Sequence, residues 1–432
     1  MSAAVNSSWP SNSNVLTPEN LKRHRELVQI LGIHDNAPGQ YTTSYPSLHT
    51  LTLGPGDPAT SELLPGGDPT GLVEINPSLV LINISRLDHY LLASFWRAIG
   101  NLPHLETFQI YDTVIDNEED TNTFFRSCQS LVNLRLTDTS FTVKDDIINQ
   151  LIFIRLRSLE LDLVQNMDEM MQLDLIRQCP NLEELAWFIE YHAQALELFA
   201  KDVSRGLWPM LENLSFAFYI PDEDLGDILK AIRRITKLDM SRNDFGPVSF
   251  QALYRHFSTL TMLSLWACSA VTSNMLSEVL CSCPNLEEMK GNDIFAKDII
   301  EGGPWVCLSM RVLEVCFVFR RADQNLQHMI FERLSRLERL EKLCIGGYSF
   351  PRRKMFQALD LRLESGFGML EKLKNMKHLN CHYTTQSVNE KEIRWILANW
   401  KRLEIISGSL NQDSSVNALH LKLLHAQGIT TN

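Results

Sequence analysis

Three groups of side chains in this sequence have types and spacings that could do chemistry. His378, Cys381 and His382 fall within five positions, and imidazole with thiolate is a zinc-ligand set. In an extended strand His378 and His382 stand about 13 Å apart, and Cys381 points to the opposite face. Zinc–ligand bonds are only about 2.0–2.3 Å long, so no metal site is expected there. Two basic runs, Arg320-Arg321 and Arg352-Arg353-Lys354, carry the donors that grip acidic or phosphorylated peptides. Charge runs of this length also occur as plain solvated surface. The third group is aromatic: Tyr111, Phe188 and Trp266 are residue types that dominate binding energies at interfaces.

These residues are positioned by a repeat. The phrase Leu-x-x-Leu-x-Leu, with conservative swaps, begins at Leu48, Leu79, Leu105, Leu131, Leu156, Leu182, Leu211, Ile235, Leu260, Leu286, Met310, Leu340, Met376 and Leu403. The steps run from 24 to 36 residues, the period of a leucine-rich-repeat solenoid. Each phrase predicts a short strand whose leucines face the core, and most of the intervening stretches carry helical periodicity. Helices are expected over Val143–Phe153, Asp222–Arg234, Ser273–Cys281 and Asn389–Trp400, and a loop over Gly54–Pro77, where prolines and glycines cluster. The fold class is therefore α/β, with parallel strands on a concave face and helices on the convex one. Fifteen strands at about 4.8 Å give an inner face on the order of 70 Å long, curved into a horseshoe. Residues 1–20 read as a disordered leader, 21–45 as an N-terminal cap, 21–432 as one solenoid and 412–432 as a C-terminal cap helix.

Alternation along the strand sends the variable residues of the phrase outward. Their central column reads Thr52, Asn83, Gln109, Arg135, Glu160, Ala186, Ser215, Asp239, Ser264, Lys290, Glu314, Cys344, Asn380 and Ser407. No Ser-His-Asp, Cys-His or paired-carboxylate arrangement recurs in it, and Gly54–Gly71 lacks the lysine and helix of a phosphate loop. The reading is a binding protein and not an enzyme, with no catalytic residue and no cofactor. Tyr111, Phe188 and Trp266 lie one column over. The basic runs follow their strands in consecutive units, so they share a rim whose earlier positions are acidic: Asp116, Glu118, Glu119, Asp120, then Asp222, Glu223 and Asp224.

Bulk properties narrow the partner. The net charge is -12, which argues against nucleic acid and anionic membranes. No apolar run reaches the length of a membrane span, and the Ser/Asn-rich start lacks the apolar core of a signal peptide. The nine cysteines follow the repeat and form no disulfide framework. Reduced thiols point to the cytosol or nucleus.

The unit from Leu260 to Thr272, closing on Cys283-Pro284-Asn285-Leu286, resembles the cysteine-containing repeat of F-box/leucine-rich-repeat proteins, which have ribonuclease-inhibitor-like folds. Leu359–Gly366 and Trp395–Trp400 resemble the tail of a large fungal group of them. The resemblance covers the chain from about Leu21 onward. It implies substrate recognition for an SCF-type ubiquitin ligase, with Skp1 and cullin as partners and a protein substrate on the concave face or rim of a monomer. An F-box, a helical segment typically opening with Leu-Pro and an acid, is not legible here. Asn101-Leu102-Pro103-His104-Leu105 belongs to the third phrase. The runner-up is a stand-alone scaffold or inhibitor with no ligase attached.

Overall fold

The computed structural model describes residues 29–34, 44–54, 69–86, 93–143, 145–189, 191–217, 219–319, 326–346 and 358–432. Arg320, Arg321, Arg352, Arg353, Lys354 and the leader lie outside them. Two compact units divide the chain, one ending at Leu211 and the other spanning Glu212–Asn432.

Each phrase becomes a strand because its leucines can be buried only on one side of an extended backbone. The first unit holds β1 (Ile30–His34), β2 (Thr50–Gly54), β3 (Leu81–Ser85), β4 (Thr107–Ile115), β5 (Asn133–Phe141), β6 (Ser158–Asp162) and β7 (Glu184–Phe188). All are parallel, each paired with the next. The central column is a register line: Thr52, Asn83, Gln109, Arg135, Glu160 and Ala186 are directly opposite one another in successive strands. The second unit holds β8 (Asn213–Ala217), β9 (Lys237–Asp239), β10 (Met262–Ser264), β11 (Glu288–Phe295), β12 (Val312–Val318), β13 (Lys342–Cys344), β14 (His378–Asn380), β15 (Ile405–Ser407) and β16 (Thr430–Thr431). Its column runs Ser215, Asp239, Ser264, Lys290, Glu314, Cys344, Asn380, Ser407, again strand by strand.

Aromatic side chains fill the space between strands and helices. In the first unit Phe124, on the helix Glu118–Ser127, lies 5.1 Å from Trp96, 5.0 Å from Phe125, 5.3 Å from Phe141 and 6.0 Å from Phe108 between ring centroids. In the second, Phe367 meets Trp395 at 4.8 Å and Trp400 at 5.4 Å, and the Trp400 indole donates to the Leu370 carbonyl at 3.2 Å.

Helices form at Ser273–Ser282, Asp222–Ala231 and Glu390–Asn399, close to the spans the sequence predicts. The last has a capping box, with Asn389 and Glu392 bonding each other's backbone. Two expectations fail. The predicted helix over Val143–Phe153 shrinks to Asp145–Ile148, because Leu151 and Phe153 are buried while Ile152 and Ile154 are exposed, a period of two rather than 3.6. The predicted loop over Gly54–Pro77 contains a one-turn helix at Thr70–Glu74 that buries Leu72 and Val73. The C-terminal helix Ser414–His425 is followed by β16, which extends the sheet beyond β15.

The chain must turn sharply after each strand, and a buried polar residue eight positions after the start of the phrase serves that turn. Thr113 donates to the Tyr111 carbonyl, Thr139 to Thr137, Thr384 to Cys381, and the Cys268 thiol to Met240. Asn243 does most: its Oδ1 accepts from the Ile220 amide at 3.0 Å, and its Nδ2 donates to the Phe216 and Met240 carbonyls at 2.8 and 3.2 Å. The residue just past the outward-facing strand end is left-handed in several repeats, at Asp112, Asp138 and Leu163 in one unit and at Arg242, Ala267 and Tyr383 in the other.

Candidate functional site: the outward strand faces

In the first unit, the outward residues of β4 to β7 form a connected polar band. The Tyr111 hydroxyl donates to Gln109 Oε1 at 3.2 Å and accepts from Arg135 Nη1 at 3.2 Å. The Arg135 guanidinium lies over the same ring at 5.9 Å from its centroid and reaches Glu160 Oε2 at 2.5 Å through Nη2. Burial works against the charge of Arg135, and its hydrogen bonds to Glu160 and Tyr111 outweigh that and hold its pKa up. Asp162 is pushed up by burial first and by the neighbouring Glu160 second, with Arg135 opposing. One guanidinium thus serves a phenol and a carboxylate, and the face is left one cation short. Charged groups here, Arg135, Glu160, Asp162 and Glu184, carry one plus and three minuses.

Of the sequence candidates, Tyr111 is half-buried within this band. Phe188 is half-buried in the same column, but Thr137 and Asp162 stand between them, three strand spacings or about 14 Å. They are separate anchors and form no joint aromatic patch. Arg135 and Glu160 were passed over in the column; the legible signal was opposite charges at the same phrase position in adjacent repeats.

The outward face of the second unit is more nearly self-satisfied. Glu314 is bracketed by Lys342 at 3.0 Å and Lys290 at 3.9 Å. Trp266, half-buried, has the Arg242 guanidinium 5.0 Å above its ring, a cation–π contact. Four column residues are small and buried: Ser264, Cys344, Asn380 and Ser407.

His378 Nε2 lies 2.9 Å from Ser407 Oγ, which raises the question of nucleophilic chemistry. The histidine pKa is lowered by burial, then by Lys342 and His382, with Glu314 opposing. Among the described residues no carboxylate hydrogen-bonds its other ring nitrogen, and the amide following Ser407 donates to the Asn432 carbonyl at 2.9 Å. The pair lacks both the orienting acid and the free donor that acyl transfer needs. Cys381 is fully buried, on the face opposite His378, and no group of three or more metal-ligating side chains occurs among the described residues.

The expected acidic rim needs correction. Asp222 accepts from the amides of Gly246, Val248 and Ser249 at 2.9, 2.8 and 2.8 Å, so it caps the helix Pro247–Leu253 of the next repeat. Burial alone would raise its pKa; the hydrogen bonds from Ser249, Val248 and Gly246 outweigh that and hold it below the usual value. Asp120 is likewise tied down, buried against Asn117. A depressed folded pKa stabilises above the unfolded pKa of about 3.9 and loses that contribution as pH falls through the folded value. Asp222→Asn should therefore cost about 1–2 kcal/mol at pH 7 and flatten the acid limb of a urea-midpoint-versus-pH curve below about pH 4. An acid limb unchanged from wild type would show that Asp222 does not cap the helix.

All nine cysteines are free thiols, eight of them buried. Burial pushes Cys268 and Cys344 up to about 11 and Cys283, Cys307 and Cys381 up to about 12, which makes them unreactive packing groups. No helix among the described residues is long and apolar enough to cross a membrane.

No family model and no curated protein matches the chain. Solved structures do. A leucine-rich-repeat protein of Leptospira interrogans matches at 14% identity over 96% of this chain and 98% of its own, with a TM-score of 0.34. TLR13 in its complex with ssRNA13 matches at 15% identity over 88% and 69%, with a TM-score of 0.37. The Rad7 and Elc1 complex of yeast matches at 15% identity over 89% and 80%, with a TM-score of 0.50. The likeness is one of fold: the chain is an α/β leucine-rich-repeat solenoid.

Proposed function

We propose that this chain is a protein-binding module that holds a partner on its outward strand faces and presents it to a ubiquitin ligase as a substrate receptor. The observation that carries the binding half is the band Gln109–Tyr111–Arg135–Glu160–Asp162, where a half-buried aromatic ring is held by a guanidinium and flanked by unbalanced carboxylates. Such a surface offers an apolar anchor beside a demand for positive charge. A partner segment bearing Lys or Arg next to an apolar side chain answers both. The ligase half is supported by the sequence resemblance to F-box/leucine-rich-repeat proteins. It is supported also by the likeness in fold to the Rad7 and Elc1 complex, in which that neighbour is seen with a protein partner.

Tyr111, Phe188 and Trp266 are the proposed anchors, and the basic runs Arg320-Arg321 and Arg352-Arg353-Lys354 remain proposed rim contacts. Tagged chain purified from its own cells should carry Skp1 and cullin with a further protein. Tyr111→Ala should weaken capture of that protein by at least tenfold, the size of a hot-spot loss, while Skp1 and cullin stay bound. Retention of the further protein with no Skp1 or cullin would replace the ligase role with that of a stand-alone scaffold. Unchanged capture by the variant would remove the β4–β6 face from the site.

A further inference from the structure

The stretch Leu151-Ile152-Phe153-Ile154-Arg155 breaks the habit of the other repeats in its unit. The positions four and two before the phrase start are Asn101 and Pro103, Ser127 and Gln129, and Gln178 and Pro180 in neighbouring repeats, but Ile152 and Ile154 here. Both isoleucines are exposed, at 58% and 63%, where nothing in the fold requires a large apolar side chain. Met210, 56% exposed, joins Ile154 in lining a groove of about 460 Å³ along the turns that lead into the strands. Val132, Arg155, Arg157 and Glu183 complete its walls.

The electrostatics of this groove are opposite in sign to those of the chain. Arg157 is paired with Glu183, which leaves Arg155 as the groove's one unmatched charge among the described residues. The polypeptide around the groove has its hydrogen bonds spent: the Ile154 carbonyl accepts from Asn181 Nδ2 at 2.8 Å, the Arg157 carbonyl from the amides of Glu183 and Glu184, and the Val132 carbonyl from those of Arg157 and Ser158. An added strand would find no edge to pair with, so recognition must run through side chains. A nucleic-acid strand would meet a single unmatched cation, too few for phosphate binding.

We infer that the Ile154–Met210 groove is a second docking site, taking an acidic peptide segment in which a large apolar side chain enters between Ile154 and Met210 and a neighbouring Asp or Glu pairs with Arg155. The site is independent of the β4–β6 face, and the partner chemistry is the reverse: acid here, base there.

The test uses the full-length chain and a phage-displayed library of ten-residue peptides, with enriched peptides then measured as fluorescein conjugates. The expected consensus is Leu, Ile, Met or Phe within two residues of Asp or Glu. Arg155→Glu and Ile154→Ser are exposed changes that should leave the circular-dichroism melt in place and weaken those peptides by about tenfold or more each. Binding should weaken as salt rises, since the Debye length shrinks from about 10 Å at 0.1 M. Tyr111→Ala should bind the same peptides as wild type, which separates this site from the strand face. Failure to enrich any peptide, a consensus without an acid, or affinity unmoved by Arg155→Glu would each overturn the proposal. So would a dimer in sedimentation that Ile154→Glu dissolves, because the occupant would then be a second copy of the chain.

Discussion

Phe124→Ala should destabilise the first unit by about 3–5 kcal/mol, the largest effect expected of any single change described here. Phe124 is fully buried and has four aromatic neighbours within 6.0 Å, drawn from two helices and two strands. Truncation removes a ring's worth of transfer free energy and leaves a cavity that Trp96, Phe108 and Phe141 cannot collapse into without leaving their own places. In a solenoid each repeat leans on its neighbours alone, so the loss should appear first as local opening. Amide hydrogen exchange should rise in β4, in β5 and in the helix Glu118–Ser127 before the chain melts globally. Phe124→Leu, which fills much of the space, should recover more than half of the loss. A Phe124→Ala protein with wild-type exchange in β4 and β5 would mean that the aromatic cluster does not hold these repeats together.

Asn243→Ala should cost about 3 kcal/mol in the second unit. The side chain is 1% exposed, and its loss strands the Ile220 amide and the Phe216 carbonyl away from water, each worth about 1–3 kcal/mol when orphaned. Asn243→Asp discriminates the mechanism. It keeps the shape and the acceptor for Ile220 but places a carboxylate against the Phe216 carbonyl, so at pH 7 it should be at least as destabilising as alanine. Its stability relative to the alanine variant should then rise as pH falls and the carboxyl protonates, because a buried carboxyl beside a carbonyl has a raised pKa. Urea midpoints of the two variants between pH 4 and 8 would decide it. An aspartate variant as stable as wild type at pH 7 would show that the Nδ2 bonds contribute nothing.

The outward column illustrates how far one-dimensional reading reaches. Because side-chain direction alternates with period two, assigning the leucines to the core also assigned Gln109, Arg135 and Glu160 to the other face. A recurring phrase set the register, since each strand copies the hydrophobic spacing of the one before. The salt bridge between Arg135 and Glu160 was therefore available in principle, from charges at equal phrase positions in adjacent repeats. Asp222 was not. Its text, Pro221-Asp222-Glu223-Asp224, reads as the start of its own helix, and that helix does begin there. Its carboxylate nevertheless caps the helix of the following repeat, a contact that depends on the offset between successive helices.

The same division holds for the stretch after Val143. Apolar content alone fits a buried helix, but the structure alternates Leu151 and Phe153 inward with Ile152 and Ile154 outward, and so creates the groove beside Met210. Whether an apolar side chain is core or surface depends on what stands on the other side of it, and that is a property of packing, not of composition. The sequence by itself determined the class of fold, the strand positions, their register and the identity of the outward column, because all four follow from a periodicity of hydrophobic burial. Only the tertiary structure decided which of those outward groups are matched, which acids are caps and where apolar surface is left uncovered. Those outcomes are set by distances of a few ångströms between residues 20 to 30 positions apart, which a one-dimensional pattern does not contain.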